Sequence, residues 1–483
     1  MAFGGKKYLW GNVPAIDILQ LDRNEGSECT ADLHLLFAAS GDLRNVVKTL
    51  ASIPENSANK LSLTINDRDF DIVSRNAILL LIAFVSESNM QAADNMIHLW
   101  YSAMISRNHI ELLHGPVRKL VEDVCSKIVS KAPGTVHGKT WRFPPSSLRL
   151  VLTKEQWFSL LACFSVPDSL THDRAQQIRT SITMAHERRD HRDRALFTRQ
   201  PVHRLCAIRF REDGVLLPFG QSRAPFNEPN PTLFRSGDWP MKDSADPLDG
   251  WAFADVSGSS YGPATNDIYG KLYSYLRKLF TEFCRRLVSL SVDLRLFNTD
   301  ARQLKDYLEE GTFARVEVSN ISDNWCLGAA STLGHLGRFL QPSSINPNAT
   351  LLTLFMNAVD EEKTDTDQAE TMGTEMKEVL SYMPLIQMPQ SRYDPSALMR
   401  HAACDLVRDN DKYFGRYMKK NGFENIEQNL GIVAKQRHTV IEKWPLRLKK
   451  RPGDEGAKEE FRLLVASAHT GAERYVEWRR AAR

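Results

Sequence analysis

Three polar residues near the N-terminus, Ser40, Gly41 and Asp42, follow a short apolar run and precede a helical pattern. Because glycine has no side chain and a helix start offers unpaired N–H groups, a ligand could approach the backbone at this turn. Asp42 sets a negative charge beside those donors, so the turn favours a cationic or neutral ligand over a phosphate. The alternative is structural: Gly41 makes the turn, and Asp42 caps a helix that begins at Leu43.

A second acidic turn follows the next apolar run, "LSLTIN". Asp67 lies directly after this run, and an acid at the end of the second parallel strand can accept hydrogen bonds from both hydroxyls of a ribose. Asp69 could take that role instead, or it could cap a helix that begins at Phe70. The glycine turn and the acid therefore predict either a nucleoside site or two ordinarily capped helices.

Two further strand ends carry polar side chains. Asn298 and Asp300 follow a third apolar run, where they could read an adenine amino group, and Asp300 could equally cap helix 301–309. The stretch "SNISDNW" follows a fourth run and either faces the same crevice or forms an ordinary turn. Its polar and aromatic residues are Asn320, Ser322, Asp323 and Trp325.

The tract 213–271 is rich in turn residues but retains many aromatics, which is typical of a functional insertion. Aromatic rings among acids would suit a pocket lid over a polar or cationic group. The alternative is an Ω-loop packed for its own stability. The residues concerned are Asp246, Asp249, Trp251, Tyr261, Asn266, Asp267 and Tyr269.

The sequence motifs that several other functions require are absent. His186 and His191 are not at i,i+4 and no nearby acid completes a metal set, so no metal site is predicted. No G-x-S-x-G elbow is present. The charge run around Arg189–Arg194 is typical of a solvated helix face, although its acid–base pairs could interlock. The basic stretch "RLKKR" is too short to indicate nucleic-acid binding.

These residues can meet only if a parallel sheet positions them. Short continuous apolar runs are typical of parallel strands covered on both faces, and here they alternate with amphipathic helices. This order favours an α/β fold with an open, doubly wound, mainly parallel sheet. The predicted strands are 33–38, 61–65, 291–298, 313–320 and 348–359.

The chain divides into four predicted segments. Residues 1–85 form the first half of a Rossmann-like domain, and 286–360 form its second half. Residues 86–285 form a helical and loop-rich insertion that serves as lid and substrate region. Residues 361–483 form an acidic linker and a helical C-terminal extension.

Composition excludes several classes of protein. A net charge of +3 recruits neither nucleic acid nor a membrane surface. The seven cysteines form no C-x-x-C, which gives neither a disulfide framework nor a zinc ribbon. "NAILLLIAFV" is too short to span a bilayer and predicts a buried helix. With no signal peptide at the N-terminus, we expect a reducing, cytoplasmic location and no membrane or nucleic-acid partner.

The stretches "WGNVPAIDIL", "SGDLRNVVKTL", "INDRDFDIVSRNAILLL", "ERRDHRDRALF", "FREDGVLLPFGQSR" and "VEVSNISD" resemble a fungal family with an uncharacterised domain, related to dynein axonemal assembly factor 3. The resemblance covers about residues 8–360. That family is similar in outline to class I S-adenosylmethionine-dependent methyltransferases, which implies a Rossmann-like core.

The resemblance implies an S-adenosylmethionine site. Ser40, Gly41 and Asp42 would form the methionine and cofactor turn, and Asp67 or Asp69 would bind the ribose. The adenine would lie near Asn298 or Asp300, and Asn320 would lie near the transferred methyl group. Asn320 and Asp323 are the catalytic residues that the resemblance implies, and Tyr261 and Asp249 of the 213–271 tract are predicted to act with them as residues of the pocket lid.

Two functions follow. The leading hypothesis is methyl transfer from S-adenosylmethionine to a small-molecule or protein acceptor, which requires in-line positioning and tolerance of positive charge rather than acid–base chemistry. The alternative is a non-catalytic, Rossmann-like assembly or scaffold protein. Under either hypothesis the chain could form an oligomer. The family's glycine-rich loop is reduced here to "AASGD", which favours the alternative.

Overall fold

The computed structural model describes residues 3–55, 57–385, 391 and 394–481. The chain forms two compact units. The first comprises Met1–Arg192 with Val202–Tyr307, and the second comprises Asp193–Pro201 with Leu308–Arg483.

Seven strands lie in the described part of the first unit. Five of them run side by side in the order β1-β2-β7-β5-β4, and β3 and β6 form a separate antiparallel pair. The pairs β1–β2, β2–β7 and β7–β5 are parallel, whereas β5–β4 is an antiparallel hairpin. The bounds are β1 Leu33–Phe37, β2 Leu61–Asn66, β3 Met104–Ser106, β4 Val136–Phe143, β5 Ser146–Thr153, β6 Phe226–Pro229 and β7 Val292–Phe297.

One face of these five strands is apolar. Leu35, Leu63, Leu294, Leu148 and Trp141 lie opposite one another in a single row across the strands. All of them are buried. This row forms the centre of the hydrophobic core beneath the sheet.

The adjacent row points to the opposite face, because successive side chains alternate along a strand. It contains Leu36, Thr64, Arg295, Arg149 and Thr140. Leu36 and Thr64 are buried, whereas the other three are exposed. This face is therefore open to solvent over β7, β5 and β4.

Helices account for most of the rest of this unit. The longest helix, α11 (Ile268–Ser289), packs against α1 and α3. Helix α2 (Phe70–Val85) packs against β5 and β7. Further turns are the 3₁₀ segments Leu21–Arg23, His186–Arg188, Pro247–Gly250 and Ala301–Asp306, and the π turn Leu113–Val117. The helices are α1 Arg44–Ser52, α2 Phe70–Val85, α3 Asn89–Tyr101, α4 Arg107–Leu112, α5 Arg118–Ile128, α6 Lys154–Ala162, α7 His172–Thr183, α8 Arg189–Leu196 (which runs across the unit boundary), α9 Pro201–Asp213, α10 Phe253–Gly258 and α11 Ile268–Ser289.

The second unit has four strands in the order β8-β9-β11-β10, of which only β8–β9 is a parallel pair in the described chain. Aromatic rings of Phe355, Phe414, Tyr417, Phe423 and Trp478 form one buried cluster of its core. The strands are β8 Arg315–Glu317, β9 Thr350–Phe355, β10 Ile432–Ala434 and β11 Arg474–Arg480. The helices are α12 Ala329–Leu336, α13 Ala358–Glu362, α14 Asp365–Tyr382, α15 Pro395–Val407, α16 Asn410–Lys420, α17 Phe423–Leu430 and α18 Ala457–Ala466, with a 3₁₀ turn at Gly337–Phe339.

The predicted α/β class is confirmed, and so is the parallel pairing of the first three predicted strands. The helix predicted from Phe70 through Val85 is α2, with Asp69 as its N-cap. Its interior is buried, as its apolar sequence predicts.

The structure has more strands than the five predicted. The predicted insertion 86–285 contributes β4 and β5 to the sheet, and the C-terminal extension contributes β10 and β11. The predicted acidic linker is helical, because Thr364 and Asp367 form a capping box at the start of α14. The segment 301–309 forms only a short 3₁₀ turn in place of the predicted helix.

Two neighbouring residues of β5 test this arrangement. We expect Leu148→Ala to lower the free energy of unfolding by about 2–5 kcal/mol, because it removes a fully buried side chain from the core. Arg149→Ala should change it by less than about 0.5 kcal/mol, since that side chain is exposed. Urea unfolding followed by circular dichroism measures both. Equal losses in the two variants would contradict the assignment of the faces.

Candidate functional site

The carboxyl ends of β1 and β2 meet at one corner of the sheet. Gly41 has a φ of +56°, a value that favours glycine, and a Cβ there would meet no atom within 4 Å. Ser40 donates its N–H to the carbonyl of Asn66 at 2.9 Å. The predicted juxtaposition of Gly41 with Asp67 is thus present.

Asp67 is held by backbone donors on both sides of this corner. Its Oδ2 accepts the Gly41 N–H at 3.0 Å, and its Oδ1 accepts the Asp69 N–H at 2.8 Å. Burial raises the pKa of the Asp67 carboxyl above its ordinary value, although both N–H bonds oppose that shift. The carbonyl of Gly41 accepts the Asn76 amide at 2.8 Å. Both oxygens of Asp67 therefore already have partners within the chain.

Asp42 faces the N-terminal segment. Its Oδ2 accepts the Gly11 N–H at 2.7 Å, and its Oδ1 pairs with the Arg44 guanidinium at 2.7 Å. A Cβ on Gly11 would collide with that guanidinium, so the backbone at Gly11 can lie against Arg44 only because it has no side chain. Asp42 is buried, and Leu43 rather than Asp42 occupies the N-cap position of α1.

Asp69 caps α2 by accepting the Asp71 N–H at 2.9 Å. It also pairs with Lys7 at 2.6 Å, and Asp71 pairs with the same ammonium at 3.0 Å. Burial lowers the pKa of Lys7, but the two carboxylates outweigh this and leave it above its ordinary value. The N-terminal segment is thus tied to both βα turns, through Lys7 and Gly11.

Asn298 and Asp300 are engaged in the same way at the end of β7. The Asn298 amide donates to the Asp67 carbonyl at 2.8 Å, and its oxygen accepts the Gln156 amide at 2.7 Å. Asp300 caps the 3₁₀ turn and pairs with Arg302 at 2.9 Å. This pairing holds the pKa of Asp300 at about 2.

Asn320 and Asp323 lie in the second unit, after β8. Asp323 is fully buried, and its Oδ2 accepts the Asn357 amide at 2.9 Å and the Met356 N–H at 3.3 Å. Its Oδ1 has no hydrogen-bond partner among the described residues, and nor does Oγ of the buried Ser322. Burial raises the pKa of Asp323.

The predicted loop residues of 213–271 mostly form a packed interior. The buried Trp251 donates its indole N–H to the Tyr101 hydroxyl at 3.0 Å, and Tyr269 donates to Asp246 at 2.9 Å. Asp267 caps α11 and accepts the Phe219 N–H at 2.6 Å.

The two residues of this tract predicted to be catalytic lie at its partly exposed positions. Tyr261 is half-buried, and its hydroxyl accepts the Gln221 amide at 3.2 Å. Asp249 is half-buried in the turn Pro247–Gly250. Asn266 is exposed on the loop that precedes α11.

A groove of about 770 Å³ that the sequence did not indicate lies among α1, α10 and α11. Lys48 donates to the Tyr275 hydroxyl at 3.1 Å and lies 3.6 Å from Asp255. Burial lowers the pKa of Lys48, but these two groups outweigh it and raise the pKa above its ordinary value. No sequence signal indicated this groove, because a lysine on the polar side of an amphipathic helix is an ordinary feature.

The other predicted chemistries have the following structural setting. The charge run at 189–194 lies on α8. In the part of the chain that the structure describes, no group of three or more His, Cys, Asp or Glu side chains could hold a metal ion. Each described helix is too short or too polar to cross a bilayer.

We expect Asp67→Asn to lower the free energy of unfolding by about 1–3 kcal/mol, because an amide can accept only one of the two N–H groups and turns its NH₂ toward the other. Chemical denaturation measures the loss. Asp306→Asn, at an exposed acid in the turn after β7, is the matched control and should leave stability unchanged. A loss no larger than in the control would show that the corner does not depend on this carboxylate.

Asp323→Asn should have the opposite effect. The raised pKa means that the protonated form stabilises the fold below the ordinary pKa and that this stability is lost as pH rises through the folded-state pKa. The amide keeps the acceptor for Asn357 and removes the buried charge, so we expect a gain of about 1 kcal/mol at pH 7. The gain should shrink as pH falls toward 4. A loss at pH 7 would contradict it.

The model of a domain of unknown function, DUF4470, matches residues 9–105. The match contains β1, α1, β2 and α2, and with them the corner formed by Gly41, Asp42 and Asp67. No curated protein and no solved structure matches the chain.

Proposed function

We propose that this chain is a non-catalytic assembly protein that keeps a Rossmann-like α/β core. The observation that carries the proposal is the state of the β1–β2 corner. The carboxylate that would bind a ribose instead holds the N–H groups of Gly41 and Asp69.

Hydrogen-bond free energies favour the arrangement in which Asp67 keeps its two backbone partners. To bind two ribose hydroxyls, Asp67 would have to release both N–H groups. Each buried donor left unpaired costs about 1–3 kcal/mol, whereas a hydrogen bond to a charged group contributes about 1.5–3 kcal/mol net. The exchange therefore yields little net free energy from the contact that usually anchors the nucleoside.

The rest of the implied cofactor site does not fit the cofactor either. Asp42 is covered by Gly11 and paired with Arg44, and Asn298 is used on both sides by Gln156 and Asp67. Among the implied catalytic residues, Asp323 is fully buried. The side chains have the types that the resemblance requires, but they bind one another.

The assembly role is consistent with the resemblance to the family related to dynein axonemal assembly factor 3. In this proposal the methyltransferase-like outline is a scaffold, and the chain acts through its surfaces on protein partners. The reduced glycine loop "AASGD" agrees with this proposal, because only Gly41 remains where class I methyltransferases use several glycines.

Methyl transfer from S-adenosylmethionine is the second candidate. It is favoured by one observation: Gly41 and Asp67 lie within hydrogen-bonding distance at the carboxyl ends of neighbouring parallel strands, where such enzymes bind their cofactor. In that case the corner would have to open, and Asp67 would exchange its backbone partners for the ribose.

Titration calorimetry on the full chain separates the two candidates. With S-adenosylmethionine or S-adenosylhomocysteine at millimolar concentration, we expect no saturable heat, because the corner's donors and acceptors are already paired. A thermal melt of the same sample confirms that the protein is folded. Saturable binding that disappears in Asp67→Ala but persists in Asp306→Ala would overturn the assembly proposal in favour of the enzyme.

A further inference from the structure

The strand β4 has an open outer edge. It is the last strand on its side of the sheet in the described part of the chain, and only β5 pairs with it. Val136, Gly138, Thr140 and Arg142 are all exposed along it. The backbone N–H and C=O groups on such an edge can pair with an extended segment of another protein.

An arginine of β5 reaches across β4 toward this edge. A Cβ built on Gly138 would lie 2.6 Å from Nη2 of Arg149, so the guanidinium lies directly over the glycine. Its Nη1 donates to the Thr140 hydroxyl at 3.3 Å. Gly138 is not among the residues with positive φ, so its backbone does not require glycine. The residue instead leaves space for the arginine.

A second arginine lies directly beside the first. Arg295 of β7 is opposite Arg149, and its guanidinium forms no hydrogen bond or ion pair with any described residue. Like charges at directly opposite positions destabilise a sheet. On the same face, Asp293 accepts the Ser147 hydroxyl at 2.6 Å and pairs with Lys60 at 3.1 Å, and the positive charge of Arg295 also acts on its carboxylate. Asp293 is thus shared between Lys60 and Arg295, so Arg149 and Arg295 leave a net positive charge on this face.

We propose that the outer edge of β4 binds an extended acidic segment of a partner protein by strand addition, with Arg149 reaching over Gly138 to pair with its carboxylates. The added strand would gain ladder hydrogen bonds from β4. Its side chains on the open face would alternate with the same period as those of β4, so an acid opposite Gly138 would meet Arg149 directly. The inference rests on the proposed assembly function and names a surface and a partner class for it.

A single-stranded nucleic acid fits this surface less well. Proteins that bind unpaired bases stack them on aromatic side chains. The exposed positions of this face on β4, β5 and β7 carry no aromatic ring, because Phe297 is buried. A backbone edge with alternating side chains matches a peptide strand instead.

Fluorescence anisotropy on the full chain tests the proposal. The probe is a labelled peptide of alternating glutamate and threonine that matches the eight residues of β4. We expect saturable binding that Arg149→Glu weakens at least tenfold, which is about 1.4 kcal/mol. Gly138→Val should weaken it as well, because the new side chain displaces the guanidinium. The valine suits a strand and preserves the fold.

Two controls separate strand addition from simple charge attraction. Arg174→Glu makes the same charge change at an exposed position on α7 and should leave the affinity unchanged. A peptide with proline in place of threonine keeps the charge but loses every second N–H group and the extended geometry of a ladder strand, and it should not bind. Equal effects of Arg149→Glu and Arg174→Glu, or equal binding of the proline peptide, would overturn the proposal.

Two further outcomes are decisive. Failure of the peptide to bind at millimolar concentration would show that the charges only protect the edge from self-association. Tighter, Arg149-dependent binding of polyuridylate would assign the surface to RNA. Neither outcome affects the calorimetric test, so a chain that binds neither peptide nor S-adenosylmethionine loses this surface but keeps the assembly role. A chain that binds S-adenosylmethionine loses that role whatever the peptide does.

Discussion

The carboxylate of Asp67 and its two backbone donors fix the geometry at the carboxyl ends of the parallel strands. One oxygen holds the turn after β1, and the other holds the turn before α2. The neighbouring Asn66 extends the same link, since its amide donates to the carbonyls of Ala38 at 2.9 Å and Thr299 at 3.0 Å. Three strand ends are thus interlocked by two adjacent side chains, and the raised pKa of Asp67 reflects the burial that this arrangement requires.

This network explains why the corner has the composition of a ligand site without its accessibility. Acids and amides at the ends of parallel strands are the groups that a nucleoside site requires. The same groups can also satisfy the backbone N–H and C=O groups that a βα turn leaves unpaired. Here the N-terminal segment adds Gly11 and Lys7 as partners for Asp42 and Asp69. Residue types alone cannot distinguish ligand binding from pairing within the turn, because the two differ only in the hydrogen-bond partner of each side-chain oxygen.

Sequence patterns predicted the elements whose burial is regular. β1 is mostly apolar, β2 and β7 carry an apolar residue at every second position, and Asp69 before an apolar helix is a clear capping signal. β4 escaped detection because Trp141 is its only buried side chain, and β11 because its buried residues include the charged Arg474 and Glu477. The partners at the candidate site were also beyond prediction, since contacts such as Gly11 with Asp42 join segments that carry no shared sequence signal.

The position of β7 has a consequence for how the protein is made. β7 lies between β2 and β5, yet the Asn298 and Asp67 that join their ends are 231 residues apart. At a synthesis rate of about 5–20 residues per second, the ribosome releases β7 roughly 10–50 s after β2. During that interval β1 and β2 can pair, but the far edge of β2 remains without its neighbour. The nascent chain therefore carries an open strand edge for about half of its translation, and unpaired strand edges of this kind make a folding chain prone to aggregation.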